Sequence, residues 1–305
     1  IVEMQMRDGT GTASGIIQQI SDMMGVPRAN AFKSSSCVIP INDIRGIEAM
    51  GYAKGEKILR CKLAAVYRLV DLYGWSQGCN TLITARLNQD DEHFLVNPYG
   101  MLFHEMTASS LIKVDMQGQV VEQGTTNFSV NISAFSLHAA IHSSRPDIKC
   151  IIHIRTPSVV AISALKCGIL PISEQAVVIG DISVHSHVGG ILSSEEIEKI
   201  ARNLGPNNKV LLLTNQGVMC CGETIEEAFF NARNTALACE QQLKLMPIGV
   251  DYLVLLNDEQ RKQLYDAAHK PPVSTPRPDQ PSLLEGKVER KWRVGGVDFE
   301  ALMRM

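Results

Sequence analysis

The run KVLLLTNQGVMCCGETIEEAFFNARNTALACEQQLKLM, residues 209–246, restricts the fold more than any other stretch of the chain. KVLLLTN and GVMCCGE read as paired strands turning through Asn215, Gln216 and Gly217. Thr224 followed three residues later by Glu227 is a capping-box pattern that opens a long helix. A hairpin followed at once by a long helix has to bury both, and a sheet covered by helices is the arrangement that does so.

The same pattern recurs along the chain. Leu59, Leu63, Val66, Val70 and Tyr73 form one helical stripe that ends at Gly74. TLITARL, HFLVNP and LIKVDM alternate as strands, and MQGQVVEQG turns at Gln117 and Gly118 into another. SLHAAIHSSRPD reads as a helix, IKCIIHI as a strand, PSVVAISALKCG as a helix begun by Pro157, and AVVIGDISVHSHV as strand-like. SSEEIEKIARNLG carries a capping box, Ser193 with Glu196, and closes on Gly205. Hairpin-like joins favour antiparallel pairing over a doubly wound sheet. The expected fold is α/β, a three-layer α/β/α domain over residues 50–250 with a mostly antiparallel central sheet.

Outside that domain, residues 1–49 read as an arm with one short helix, SGIIQQISDMM, and GTGTASG at 9–15 lacks the strand and Lys-Ser/Thr of a phosphate loop. Residues 251–284, with five prolines between 270 and 284, read as a linker, and 285–305 as the start of a further segment able to dock back. The cluster KVERKWR at 287–293 reads as a solvated basic face, with an anionic membrane or calmodulin as the other option. The start at Ile1 and the end at FEALMRM suggest a piece of something longer. A net charge of −3 offers no basic field for nucleic acid, and no apolar run approaches a membrane span. Eight scattered cysteines read as reduced thiols of an intracellular protein, with adjacent Cys220 and Cys221 on opposite faces of a strand.

Chemistry is concentrated in CIIHIRTP, residues 150–157. Residues two apart on a strand share a face, so His153 and Arg155 point the same way. A second histidine there would make a metal pair, but a guanidinium has no lone pair to offer. Arg155 reads as the partner of an acid such as Glu174 or Asp181, with anion binding as the other option. His185 and His187 form a His-x-His of their own, and His138 and His142 share a helix face; each pair reads as polar packing before metal ligation.

Residues 63–246 resemble the class II aldolase and adducin family. The resemblance is carried by GWSQ, EMTASSLIK, RPDIKCIIHI, KCGILPIS, NLGPNNKVL and, beyond the enzymes' common core, DFEALMRM, all closer to the adducin branch. It implies a class II aldolase-like domain, which in the enzymes holds zinc through a His-x-His pair and a later His beside Gly, with a nearby carboxylate moving the proton. On that correspondence the first ligand position is His153, the second Arg155, and the later motif Asn215, Gln216 and Gly217; the carboxylate position is Ala134. Ser133 survives where the enzymes hold phosphate, and Tyr99 stands beside Gly100 in the equivalent turn.

The expected site is therefore a degenerate pocket of Ala134, His153, Arg155, Asn215 and Gln216, without cofactor, metal or catalysis. The resemblance further implies a membrane-skeleton scaffold in the cytoplasm, at the cytoplasmic face of the plasma membrane. Its head would self-associate or pair with other adducin-type subunits. Its full-length protein would bind actin and spectrin and cap filament ends, with calmodulin contacts in regions outside this chain. The competing expectation is a diverged metal-dependent sugar-phosphate aldolase or epimerase that recruits His185 and His187.

Overall fold

The computed structural model describes residues 40–45, 51–87, 92–186, 190, 192–271 and 292–304. The arm read over 1–49 therefore lies outside the described residues apart from 40–45, as do His187, most of the proline-rich stretch and residues 287–291 of the basic cluster. Residues Pro40–Met305 form one unit.

Its centre is strand β5, Cys150–Ile154, which is buried along its whole length. A strand in that position must hydrogen-bond on both edges, because a buried unpaired N–H or C=O costs about as much as a lost hydrogen bond. On one side β5 pairs antiparallel with β1, Ile83–Arg86, and on the other with β8, Gly217–Gly222. Beyond β1 follow β2 (Phe94–Val96), β3 (Ile112–Val114) and β4 (Val120–Glu122); beyond β8 follow β7 (Val210–Leu213) and β6 (Ile182–His185). The eight-stranded order is β4-β3-β2-β1-β5-β8-β7-β6. Among the described residues only β6 and β7 run parallel, so the sheet is mostly antiparallel as the hairpin joins imply.

Alternation along the central strands feeds two cores. Cys150, Ile152 and Ile154 of β5, with Val218 and Cys220 of β8, pack against helices α1 (Lys54–Leu72), α3 (Pro157–Ser163) and α6 (Ile225–Leu245). Ile151, Met219 and Cys221 face the other way, against α2 (Ile132–Ser144) and α5 (Ser194–Leu204). This is the three-layer α/β/α arrangement, and it puts Cys220 and Cys221 in different cores as free thiols. Burial pushes the Cys220 thiol up to about 12, so it carries no thiolate at neutral pH.

Local signals hold where backbone geometry alone decides. Thr224 and Ser193 accept from the N–H groups of Glu227 and Glu196 as N-caps. The turn after β3 is built by the Asp115 carboxylate, which accepts from the N–H groups of Gln117 and Gln119, with Gly118 at φ +79°.

Two segments differ from expectation. In AVVIGDISVHSHV the first part is helical: α4 spans Glu174–Val178, capped by Ser173 and followed by Gly180 at φ +77°, and the strand begins only at Ile182. Residues read as the linker 251–284 include helix α7, Asp258–His269, opened by a reciprocal box between Asn257 and Gln260. The prolines that prompted the linker assignment follow this helix, and the contact that anchors it is tertiary: Tyr265 lies over Gly180, where any Cβ would come within 3.2 Å of its ring. The closing segment docks back through α8, Gly296–Leu302, whose Phe299 packs edge-on to Phe229 with centroids 5.8 Å apart. Arg293 and Lys62 both bond the buried Glu226 carboxylate, tying this segment to α1 and α6.

Phe299→Ala should therefore destabilise the domain by about 3 kcal/mol, the usual cost of deleting a buried aromatic ring. Urea denaturation measures it; a neutral substitution would mean that residues 292–304 are not anchored in this core.

Candidate functional site

His153 sits at the end of β5 on the α2 face, opposite Met219. It is 8% exposed, and its Nε2 lies 3.1 Å from the carbonyl oxygen of Gln216. A carbonyl only accepts, so Nε2 carries the proton and donates to it. Ligation through Nε2 would require breaking that bond. The β7–β8 turn is held against the strand end by backbone contact: Asn215 takes φ +63° and Gly217 φ +98°, and a Cβ on Gly217 would stand 2.2 Å from the carbonyl oxygen of Ile154. The structure thus brings His153, Asn215 and Gln216 together with the backbone of Arg155.

Arg155 is half-buried, and among the described residues its guanidinium makes no hydrogen bond or ion pair. The pairing with Glu174 or Asp181 is not formed. Asp181 instead meets Arg261 of α7 at 3.4 Å, a partner hidden from any reading that treats 251–284 as a linker. Ala134 lies in the first turn of α2, its N–H donated to the side chain of cap residue Asn131. Its methyl packs with the apolar cluster of Leu82, Phe94, Val96 and Phe135.

One turn further along α2, His138 and His142 are packed inward and linked through Thr84 of β1. His142 Nδ1 is 3.2 Å from the carbonyl of Ile148 and must be the protonated nitrogen, which leaves Nε2 to accept from the Thr84 hydroxyl at 2.9 Å. That hydroxyl then accepts from His138 Nδ1 at 3.0 Å. The chain of donors ends at His138 Nε2, a buried lone pair without a partner among the described residues. Burial and the neighbouring Arg86 guanidinium hold His142 down at about 3, and burial, with His153 and His142 nearby, holds His138 well below the ordinary histidine value. This wall of the site is therefore uncharged at neutral pH.

His185 is occupied elsewhere. Asn203 donates to its Nδ1 at 2.8 Å, so Nε2 carries the proton and meets the Glu196 carboxylate at 3.1 Å. Both ring nitrogens serve the packing of α5 on β6, and His187 lies outside the described residues. Among the described residues no three His, Cys, Asp or Glu side chains are grouped to hold a metal ion. The zinc implied by the resemblance does not fit the donors present: a protonated imidazole nitrogen bound to a carbonyl, a guanidinium and a primary amide are not a tetrahedral N/O set. A cleft of about 760 Å³ between α4 and α7, walled by Gly180, Asp181, Arg261, Lys262 and Tyr265, includes none of the pocket residues.

The fold coincides with what the comparisons find. The profile of the class II aldolase and adducin N-terminal domain matches residues 61–243, and the chain belongs to that family. Within it, likeness to adducins runs the length of the chain: 56% identity to protein hu-li tai shao of Drosophila melanogaster over 98% of this chain, and 42% identity to mouse alpha-adducin over 100% of it. The chain spans 28% and 42% of those proteins' own lengths. Among solved structures, an aldolase II superfamily protein from Pseudomonas syringae superposes with a TM-score of 0.68 at 34% identity, covering 73% of this chain and 88% of its own. L-fuculose 1-phosphate aldolase from Glaciozyma antarctica gives 0.63 at 26%, covering 71% and 85%.

The buried histidines set a pH dependence. His142 stays neutral in the folded state down to about pH 3 but takes a proton near 6.5 when unfolded. Its contribution is complete above about pH 6.5 and is lost as the pH falls toward 3, with a slope approaching ~1.4 kcal/mol per pH unit. Urea denaturation at pH 7 and pH 5 should show a fall in stability that is smaller in His142→Asn; an equal fall in the variant would remove His142 from this role.

Proposed function

We propose that this chain is the non-enzymatic head of an adducin-type membrane-skeleton protein, with the aldolase fold kept as a platform for self-association. The observation that carries the reading is the extent of the adducin likeness. It continues through residues 244–304, past the end of the family profile at 243 and into the α7 and α8 segments that dock back on the core.

The pocket chemistry supports the same conclusion. Ala134 stands where the proton-moving carboxylate would be, and loss of a general base alone typically removes a factor of about a hundred to ten thousand in rate. Arg155 adds a fixed positive charge that repels a divalent cation, and Gln216 engages His153 through its carbonyl rather than through a third imidazole. The pocket of Ala134, His153, Arg155, Asn215 and Gln216 is on this reading degenerate. Links to spectrin and actin, and any calmodulin contact, belong to the full-length protein at the cytoplasmic face of the plasma membrane. Among the described residues no helix is long and apolar enough to cross a membrane.

Metal analysis of the purified chain tests the chemical half: the expected result is no stoichiometric zinc, and one tightly held zinc per chain with aldol cleavage of a sugar phosphate would restore the enzyme. In the double variant Arg155→His, Gln216→His, zinc affinity should rise measurably over the parent, because two imidazoles are added beside His153; a folded variant with unchanged affinity would refute this placement of the pocket. Sedimentation equilibrium at micromolar concentration tests the other half: an oligomer is expected, and a strictly monomeric chain would remove the role assigned to the head.

A further inference from the structure

The segment that follows α6 is unusual in what it leaves uncovered. After Leu245 the chain makes two single 3-10 turns, Met246–Ile248 and Val250–Tyr252, and then runs extended to Leu256, whose N–H is donated to the carbonyl of Pro171 before α7 begins. In this stretch Leu245, Ile248, Val250, Tyr252, Val254 and Leu255 are all exposed, Tyr252 at 80% and Val254 at 90%. Scattered exposed apolar residues are ordinary, but six within eleven consecutive positions concentrate exposed apolar surface in one short segment, on the order of the ~300–600 Å² of the largest patch on a typical monomer. The backbone beneath it is fixed at both ends, by α6 and by the Leu256 bond, so the side chains are held out on an ordered support.

We propose that residues 245–255 form the surface through which a second copy of this chain docks, by two-fold pairing of the segment with itself. The proposal rests on the self-association reading above and names the face that carries it. Two observations choose this occupant. First, the patch carries one acid, Asp251, and is flanked by one base, Lys244, both exposed. A two-fold interface pairs residue i with j and j with i, so Asp251 of each copy can face Lys244 of the other, whereas a surface built for a strongly charged filament needs a field of one sign. Second, covering several hundred Å² on each of two copies approaches the ~1,200 Å² of total area at which stable interfaces begin. The segment also starts where the family profile ends, at residue 243, so the aldolase core shared by the family does not include it.

The test uses the 305-residue chain and the variants Val254→Glu and Tyr252→Glu/Val254→Glu, compared by sedimentation equilibrium with a control, Val121→Glu, on the exposed edge strand β4. Burying unpaired carboxylates in an apolar contact should weaken assembly on the order of 100-fold or more, so the variants are expected to sediment as a smaller species than the parent. Both changed positions are solvent-exposed, so far-UV circular dichroism and denaturation midpoints should match the parent, and the single variant repeats the test with the smaller change. A parent oligomer that survives both variants, or that dissolves only with Val121→Glu, overturns this face while leaving self-association standing. A parent that is monomeric defeats both readings. Intact oligomers that lose cosedimentation with actin filaments or spectrin would assign the face to a filament and overturn the proposal.

Discussion

The antiparallel ladder between β5 and β8 is the contact on which the rest of the molecule depends. Five consecutive pairs, from Cys150 opposite Gly222 to Ile154 opposite Val218, set two strands side by side with no freedom to slip. A shift of one residue would exchange the two cores, sending Cys220 toward α2 and Met219 toward α6. The register ends at Gly217, where the backbone passes so close to Ile154 that no side chain fits. This closeness is what brings the Gln216 carbonyl within hydrogen-bond reach of His153.

From that ladder follows the character of the site. The imidazole of His153 is a donor to the backbone carbonyl of Gln216. The neighbouring histidines of α2 are neutral members of a relay through Thr84 that begins and nearly ends in protein atoms. Polar groups buried in this way rigidify a core when they are paired, and among the described residues His138 Nε2 is where the relay's pairing is incomplete. Phe299 anchors the back-docked segment against this same fold, and the run after α6 stays exposed.

The two capping patterns show how far local sequence reaches. Ser193 and Thr224 both cap their helices, as the spacing implies. Each pattern also offers a glutamate that would reach back to the cap residue, and in neither does it do so. Glu196 turns to His185, and Glu227 accepts from the N–H of Glu223 while pairing with Lys209 at 2.6 Å. An N–H at a helix start has few local acceptors, so its partner is local. A carboxylate on a flexible stem goes to whichever donor the packed neighbours present.

Sequence by itself determined the alternation of strands and helices, the antiparallel hairpins at Gly118 and Gly217, the split of Cys220 from Cys221, and that Arg155 beside His153 offers no metal ligand. These depend on backbone periodicity, on turn conformations open chiefly to glycine, and on the absence of a lone pair on an arginine. Only the tertiary structure decided that residues 174–178 are helical, that α7 belongs to the domain, that Asp181 pairs with Arg261 and not with Arg155, and that residues 245–255 stand bare. Those outcomes turn on contacts between segments eighty or more residues apart, such as Tyr265 over Gly180, or on which surfaces the folded chain fails to cover. Neither is written in the local period of a sequence, because burial is a property of the assembled fold.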